Sequence, residues 1–181
     1  YLGPDEQTTS VNNGYDKAEE DALLERIDWP RDGYRLFEIG TPLRSGALIT
    51  MWLNRIGETN CVFMRRKLFE DIGGADERFD LPGGGLVNLD LYKRAVETPG
   101  ITPVQIIGEG SFHQLHGGIT TNSGESERAQ TLERFRQQYR DIRGHDELLA
   151  DVRFVHIGHM PTVASNITAR ERKKARSAGL L

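Results

Sequence analysis

The stretch that decides the fold is NCVFMRRKLFEDIGGADERF at Asn60–Phe79, followed closely by GGGLVNLDLYKR at Gly83–Arg94. An apolar segment leads into a basic pair and then into a segment with helical spacing, Arg66–Ile72, which the Gly73-Gly74 pair ends. The three consecutive glycines, Gly83–Gly85, predict a loop, because glycine adopts positive φ and lets a backbone approach a ligand closely.

Outward from this stretch, helices and strands alternate along the chain. A helix over 17–27 begins after Asp16, a capping residue with Glu19 three positions on. The other predicted helices are 86–97, 125–143 and a basic helix or frayed tail at 169–176, whereas residues 1–15 are predicted to be loop. Strands are predicted at 34–39, 47–53, 60–64, 104–107 (with 111–116 as an extension or a second strand) and 152–157. The alternation predicts an α/β fold.

The composition limits the classes of function. The chain has 181 residues, 37% of them hydrophobic and 28% charged, which allows a packed core. A formal net charge of −4 argues against nucleic-acid binding, and no apolar run reaches the roughly 20 residues of a membrane span. A single cysteine, Cys61, fits a cytoplasmic protein and is expected to be buried and inert. We expect one domain over 1–168 and a basic tail over 169–181.

Asn88 is the polar residue expected to point inward at the start of the 86–97 helix. It shares a helical face with Leu91, Tyr92, Ala95 and Val96, whereas Asp90 falls on the opposite face with Lys93, Arg94 and Glu97. Free N–H groups at a helix start attract anions, so Asn88 could contact a ligand hydroxyl or phosphate. The structural alternative is a hydrogen-bonded core asparagine.

The segment GEGSFHQLHGG at 108–118 carries two histidines and a carboxylate, Glu109, beside a glycine-rich turn. Such groups could bind a divalent metal. In an extended segment His113 and His116 would face opposite sides, so only one would reach a given site. The alternative is a pair of surface or hydrogen-bonded histidines. Similarly, Glu58-Thr59-Asn60 is either a polar site edge or a strand-entry turn, and Trp29 and Trp52 are expected in the core.

Read in order, residues 58–122 resemble the second half of the family-2 glycosyltransferases. In that family a strand leads into an arginine, a short helix and the sequence Gly-Gly-Phe-Asp-Glu-x-Phe, in which Ala75 here replaces the aromatic residue. Gly84–Arg94 is similar to the family's Gly-Glu-Asp-x-Asp-Leu helix, and His113 and His116 fall where many members place a metal-binding histidine. The resemblance implies a mixed sheet flanked by helices, of the GT-A (nucleotide-diphospho-sugar transferase) type.

The resemblance covers only the acceptor side of that fold. Residues 1–57 lack the strand–helix repeats and paired aspartates of the half that binds the nucleotide sugar, and the first residue is Tyr1. We therefore expect a C-terminal, acceptor-side portion that is incomplete at its N-terminal side.

One departure from the family concerns the general base. Val87 and Asn88 stand where inverting members have Glu and Asp, and an amide cannot take up a proton at neutral pH. Either Glu109 or Asp90 is the base, or the transfer retains configuration without a carboxylate base, or the protein binds sugars without turning them over. The catalytic candidates are therefore Asn88, Asp90 and Glu109.

The resemblance also implies the remaining site residues and ligands. His116 is the preferred metal ligand, with His113 as the alternative, and the metal, Mn²⁺ or Mg²⁺, would neutralise the departing nucleotide diphosphate. The donor would be a UDP- or GDP-sugar, and the acceptor is unknown. The predicted substrate-binding residues are Glu58, Asn60, Gly83, Gly84, Gly85, Asn88 and His113.

The implied function is transfer of a hexosyl group, and two alternatives stand beside it. One is a non-catalytic nucleotide- or sugar-binding module of GT-A descent, and the other is an unrelated α/β protein with structural histidines. The first two require the triple-glycine loop and the histidine pair to meet at one pocket.

Overall fold

The computed structural model describes residues 1–42, 52, 60–117, 125–165, 173, 176 and 177. The helices are α1 (Gln7–Asn12), α2 (Lys17–Arg26), α3 (Leu36–Ile39), α4 (Arg66–Asp71), α5 (Val87–Val96) and α6 (Glu125–Arg143). Short 3₁₀ turns cover Gly33–Arg35 and Pro82–Gly84, and the strands are β1 (Val104–Ile107) and β2 (Val155–Gly158). The described residues thus form a mixed α and β structure, as the alternation predicted.

The chain divides into two compact units that are both discontinuous in sequence. Unit 1 comprises Tyr1–Asn54, Ile106–Asn122 and Gly158–Leu181, and unit 2 comprises Arg55–Gln105 and Ser123–Ile157. The chain therefore passes from one unit to the other at four places along the sequence.

Unit 1 is built on two apolar clusters that share Phe112. In one cluster Leu2, Ile27, Leu36 and Ile39 pack together, and in the other Phe37 packs against Ala164. The rings of Phe37 and Phe112 meet edge to face, with centroids 4.9 Å apart. Such aromatic pairs add to the stabilisation that burial of apolar area provides.

The predicted capping of α2 is confirmed, because the Asp16 carboxylate accepts a hydrogen bond from the Glu19 N–H at 3.0 Å. The helix buries one charged residue, Glu20, and its apolar positions Leu23 and Leu24 pack against the first cluster. A carboxylate that is buried in this way needs hydrogen-bond donors to offset its lost hydration.

Unit 2 packs α5 and α6 with the segment that follows them. Tyr92 and Val96 of α5 form a cluster with Ala150, and Tyr139 of α6 lies 6.0 Å from Phe79, centroid to centroid. The predicted stripe of α6 is confirmed at Phe135 and Tyr139, which are buried. Charged residues are also buried in this unit and are described with the candidate site.

β1 and β2 form a parallel two-stranded sheet. Parallel neighbours need a long connection, and here the connection contains α6. Gly108, directly after β1, has a positive φ of 85°, and a Cβ at this position would overlap the carbonyl oxygen of His159. Only glycine fits there without a shift of the backbone.

Several local predictions are confirmed and others are wrong. The helices over 17–27, 66–72, 86–97 and 125–143 are present within one or two residues, and the strand 104–107 is present as predicted. The expected strand 152–157 begins later, at Val155. The predicted strand 47–53, apart from residue 52, and most of the basic segment 169–176 lie outside the described residues.

The predicted strand 34–39 is helical. Asp32 accepts a hydrogen bond from the Tyr34 N–H, which starts a 3₁₀ turn that continues into α3. Leu36, Phe37 and Ile39 are all buried, and this spacing of one and three residues suits a helical turn better than strand alternation.

Five further predictions are wrong. Residues 60–64 and 111–116 contain no strand, and Phe63 is 92% exposed, because no neighbouring strand within the described residues pairs with either segment. Residues 1–15 contain α1 instead of loop alone. Trp29 and Cys61, expected in the core, are both exposed. Within the described part of the chain, no helix is long and apolar enough to cross a membrane.

Candidate functional site

The two histidines of the glycine-rich segment lie side by side in unit 1. The Nε2 atoms of His113 and His116 are 3.0 Å apart, and the ring centroids are 4.6 Å apart. Residues 111–117 form no strand, so their side chains do not alternate between two faces. Both imidazoles can therefore lie on the same side of the segment. The expectation that only one of them could reach a given site is therefore wrong.

Hydrogen bonding fixes the tautomers of this pair. The Nδ1 of His116 lies 3.1 Å from the Gly117 carbonyl oxygen, which can only accept, so Nδ1 carries the proton. The Nε2 of His116 then accepts a hydrogen bond from the Nε2–H of His113. The Nδ1 of His113 keeps its own lone pair and is buried without a partner among the described residues.

Burial lowers the pKa of His113 below its ordinary value, and the positive charge that His116 can carry lowers it further. His113 is therefore neutral at pH 7. Neutral imidazole is the form that binds a metal ion.

Two hydrogen bonds from distant parts of the chain hold the histidine turn. The Leu115 N–H donates to Oε2 of Glu20 at 2.6 Å, and the Leu2 N–H donates to the His113 carbonyl oxygen at 3.1 Å. The edge of the Tyr1 ring also packs on His113, with centroids 5.5 Å apart. The turn is thus anchored by α2 and by the segment that precedes α1.

Glu109 lies in unit 1 with its carboxylate exposed. Its Oε1 accepts a hydrogen bond from the Tyr34 hydroxyl at 2.5 Å, and its carbonyl oxygen accepts one from the Trp52 indole N–H at 2.6 Å. The hydrogen bond to Glu109 raises the pKa of Tyr34, so the tyrosine remains a donor at neutral pH. Glu109 is therefore held in place and open to solvent.

The triple-glycine loop of unit 2 has the predicted backbone. Gly83, Gly84 and Gly85 have φ values of 79°, 78° and 55°. A Cβ at Gly85 would lie 3.3 Å from the Gln138 side-chain oxygen, so the loop passes close to α6. The loop is followed by α5, which begins at Val87.

The predicted orientation of Asn88 and Asp90 is wrong. Asn88 is exposed, whereas Asp90 is 1% exposed and belongs to the buried side of α5 together with Lys93. Asn88 lies in the first turn of the helix, before the helix enters its packed region. Asp90 can face inward because arginines meet it there.

The Asp90 carboxylate is held by two guanidinium groups. Arg143 of α6 donates to Oδ1 at 2.6 Å and to Oδ2 at 2.8 Å, and Arg94 donates to Oδ2 at 2.8 Å. Arg143 also reaches Asp76 at 2.7 Å. Burial alone would raise the pKa of Asp90, but the hydrogen bonds from Arg143 and Arg94 outweigh it and lower the pKa. A carboxylate in this state is a poor general base.

The predicted site residues therefore lie in both units. His113, His116 and Glu109 belong to unit 1, whereas Asn60, Gly83–Gly85, Asn88 and Asp90 belong to unit 2, and Glu58 lies outside the described residues. Convergence of the glycine loop and the histidines on one pocket stays a prediction. A cavity of about 540 Å³ in unit 1 is lined by Tyr15, Leu23, Ile39 and their neighbours, and by none of the predicted site residues.

Sequence reasoning missed one residue that anchors the histidine turn and one that positions Glu109. Glu20 anchors the turn from a position 95 residues earlier, and Tyr34 binds Glu109 across 75 residues. A carboxylate beside the apolar positions of α2 could have drawn attention to Glu20. Nothing local could have identified its partner, since the contact depends on the tertiary fold.

The donor set fits a metal ion only in part. Two imidazole nitrogens that lie 3.0 Å apart can bind one ion. The Nδ1 of His113 is buried and has no hydrogen-bond partner among the described residues. Among the described residues no group of three or more His, Cys, Asp or Glu side chains could hold a metal. The remaining ligands would have to come from water or a bound phosphate, as is usual where a metal bridges protein and nucleotide. Mg²⁺ is bound in proteins through oxygen atoms, so of the two expected ions Mn²⁺ is the better match to an imidazole pair.

No protein-family model, no curated protein and no solved structure matches this chain.

Proposed function

We propose that this protein takes part in transfer of a hexosyl group from a UDP- or GDP-sugar to an acceptor, with a divalent metal at His113 and His116. The single observation that carries the proposal is the pair of imidazoles with Nε2 atoms 3.0 Å apart. The ordered likeness of residues 58–122 to the second half of the family-2 glycosyltransferases supports it. When bound, the metal would offset the negative charge of the departing nucleotide diphosphate.

Glu109 is the residue best suited to take the acceptor proton. Its carboxylate is exposed and positioned by Tyr34, whereas Asp90 is held by two arginines and Asn88 has no basic atom. In an inverting transfer the acceptor oxygen bonds to the anomeric carbon, the bond from that carbon to the phosphate oxygen breaks, and the acceptor proton passes to Glu109.

Incubation of the full chain with Mn²⁺ and radiolabelled UDP- and GDP-hexoses tests the proposal. We expect release of nucleotide diphosphate, with a loss of at least tenfold in the His116→Ala variant. His159→Ala removes another exposed imidazole of unit 1 and serves as the matched control, with no expected loss. Absence of both hydrolysis and transfer across the common donors contradicts a catalytic role.

A specific observation favours a second candidate, a non-catalytic nucleotide- or sugar-binding module. Asn88 stands in place of the family's base, and Asp90 is buried in ion pairs, so α5 supplies no free carboxylate. Calorimetry with UDP and GDP, with and without Mn²⁺, separates the candidates. Metal-dependent binding without turnover would favour the module over the transferase.

A further inference from the structure

We infer that the acceptor in the proposed transfer is a sugar, whose ring stacks on Tyr34 and Trp52 beside Glu109. This inference rests on the proposed function and names the class of acceptor that the sequence leaves unknown. Three features of unit 1 carry it: two partly exposed aromatic rings, a buried ring that packs against both, and the open carboxylate of the residue that both rings bind.

The first feature is the pair of rings that bind Glu109 through their polar atoms. The Tyr34 hydroxyl donates to Oε1 of Glu109 at 2.5 Å, and the Trp52 indole N–H donates to its carbonyl oxygen at 2.6 Å. Tyr34 is 40% exposed, and Trp52 is partly buried. Because each ring is fixed through its polar edge, part of its apolar face stays available for a ligand.

The second feature is Phe37, which is 5% exposed and packs against both rings. Its centroid lies 6.4 Å from that of Tyr34, with an angle of 20° between the ring planes, and 6.0 Å from that of Trp52. Since Phe37 is nearly parallel to the Tyr34 ring on one side, we expect the exposed area of Tyr34 on its other side. Aromatic rings held in this way lose little conformational entropy when a ligand stacks on them.

The third feature is the carboxylate of Glu109, which is exposed. Its Oε2 has no hydrogen-bond partner in the part of the chain that the structure describes, and Oε1 has only the Tyr34 hydroxyl. Gly108 and Gly110 stand on either side of Glu109, so neither adjacent residue has a side chain to cover it. An ionised carboxylate accepts about four hydrogen bonds, which leaves acceptor capacity for the hydroxyls of a ligand.

A pyranose sugar matches these features. One face of its ring carries C–H groups, which pack on the negative face of an aromatic ring, and its hydroxyls lie at the edge. A sugar can therefore cover Tyr34 and Trp52 while one hydroxyl donates to Oε2 of Glu109. An alkyl chain would also cover the rings, but it would leave the carboxylate against apolar atoms at a cost in free energy. The site thus favours a sugar over a lipid chain, and the hydroxyl at Glu109 is the one that loses its proton in the transfer.

The test is sugar binding by the full chain in the absence of nucleotide and metal. The chain has two tryptophans, so Trp29→Phe leaves Trp52 as the only indole. In this background the Trp52 fluorescence is titrated with the methyl glycosides of glucose, galactose and mannose. We expect a saturable change for at least one glycoside, and Tyr34→Ala should raise the dissociation constant of that glycoside about tenfold because the ring is lost. Tyr34→Phe keeps the ring and should stay within about threefold of the parent.

A second measurement detects the ring contact without any change at Tyr34. The C–H protons of the bound glycoside should shift upfield in the proton magnetic resonance spectrum, because aromatic ring currents shield atoms that lie over a ring face. Unshifted C–H protons would overturn the stacking even where the glycoside binds. Phe63→Ala is the matched control, because Phe63 is an exposed aromatic residue of unit 2, and it should change the dissociation constant less than twofold.

Equal effects of Tyr34→Ala and Phe63→Ala, or no binding of any of the three glycosides, would overturn the inference. If the transfer assay with Mn²⁺ succeeds and no glycoside binds, the proposed function stands and only the class of acceptor is wrong. If a glycoside binds through Tyr34 and no nucleotide sugar is consumed, the proposed transfer fails, whereas the sugar-binding surface stands.

Discussion

Asp90 is the residue on which the stability of unit 2 depends most directly. Its carboxylate receives three hydrogen bonds from Arg143 and Arg94 in a buried setting. Removing one partner of a buried pair leaves the other charges uncompensated, so we expect Asp90→Asn to lower the free energy of unfolding by about 3 kcal/mol. Urea unfolding measures the change.

Asp71→Asn is the control for that substitution. It breaks an exposed pair with Lys67 at 2.7 Å, and it should cost less than about 0.5 kcal/mol. Equal costs for the two variants would show that the buried network contributes no more than a surface pair.

Acid should destabilise the protein through the same network. The hydrogen bonds from Arg78 and Arg143 lower the pKa of Asp76, and those from Arg143 and Arg94 lower that of Asp90. Because both folded-state pKa values lie below the unfolded values of about 3.9, the stabilisation is complete above that pH and is lost as the pH falls below it. Unfolding free energies measured between pH 6 and pH 2.5 should fall more steeply for the wild type than for Asp90→Asn.

Tyr15 should make the protein less stable as the pH rises, whereas the two carboxylates make it less stable as the pH falls. Burial, followed by the charges of Glu20, Glu19 and Asp21, raises its pKa to about 12. The stabilisation from a raised pKa is complete below the unfolded value of about 10 and is lost as the pH rises through 12. The Tyr15 hydroxyl is buried and has no partner among the described residues, so Tyr15→Phe should be neutral or stabilising by up to about 1 kcal/mol at pH 7.

The measurement for Tyr15 is urea unfolding at pH 7 and pH 11. Tyr15→Phe should lose less stability than the wild type between these two values. A larger loss in the variant would show that the hydroxyl has a partner that matters.

At the residue scale, the sequence predicted which residues are important better than it predicted which face of a helix they lie on. The helical face of Tyr92, Ala95 and Val96 was predicted and is buried. Asp90 was predicted to lie on the opposite face, with Lys93, Arg94 and Glu97, because positions three and four apart share a face of a helix. Its partner Arg143 lies 53 positions away on another helix, and no local pattern could reveal it.

Among the described elements, the end of β1 is the place where the residue type is most restricted. Gly108 combines a positive φ of 85° with a Cβ position that overlaps the His159 carbonyl oxygen. We expect Gly108→Ala to cost more than about 3 kcal/mol, because the strained backbone and the overlap add together. Thermal unfolding followed by circular dichroism measures the loss.

Gly14→Ala separates the two causes. Gly14 has a similar φ of 93°, but nothing lies within 4 Å of its Cβ position. This variant should cost only about 1–2 kcal/mol, from backbone strain alone. Equal losses at both positions would mean that the backbone near His159 yields to the added methyl group.

Helices were predicted well because their determinants are local. Asp16 caps α2. The Gly73-Gly74 pair follows α4, and Pro99 follows α5, each within a few residues. Strands depend on distant partners, so 60–64 and 111–116 had suitable composition and yet form no strand. The segment 34–39 was wrongly predicted as a strand because the spacing of its apolar residues fits both a strand and a helix. The hydrogen bond from the Tyr34 N–H to Asp32 favours the helical conformation.

On the scale of the whole molecule, the two units cannot be separated by a single cut. Residues 1–105 keep the buried residues of the first cluster of unit 1 but lack Phe112 and Ala164 of that unit and Tyr139 and Ala150 of unit 2, so both cores are incomplete in a fragment that ends at residue 105. We expect this fragment to show the circular dichroism of an unfolded chain, with α2 at most partly helical. A cooperative thermal transition in the fragment would contradict the division.

Convergence of the glycine loop and the histidine pair on one pocket stays a prediction that rests on the resemblance alone. The histidines and Glu109 belong to one unit, and the glycine loop belongs to the other. The pairing of His113 with His116 depends on the irregular backbone of residues 111–117, which composition does not encode.

The bond between Glu20 and Leu115 also has a consequence for synthesis of the protein. A ribosome that adds about 5–20 residues per second needs about 5–20 s to make the 95 residues between these partners. Throughout that interval the Glu20 carboxylate of the nascent chain stays hydrated, because the Leu115 N–H that donates to it has not yet been made. The backbone between the two histidines can therefore be anchored to α2 only after residue 115 has been made, and a nascent chain that ends before this residue lacks the anchored turn.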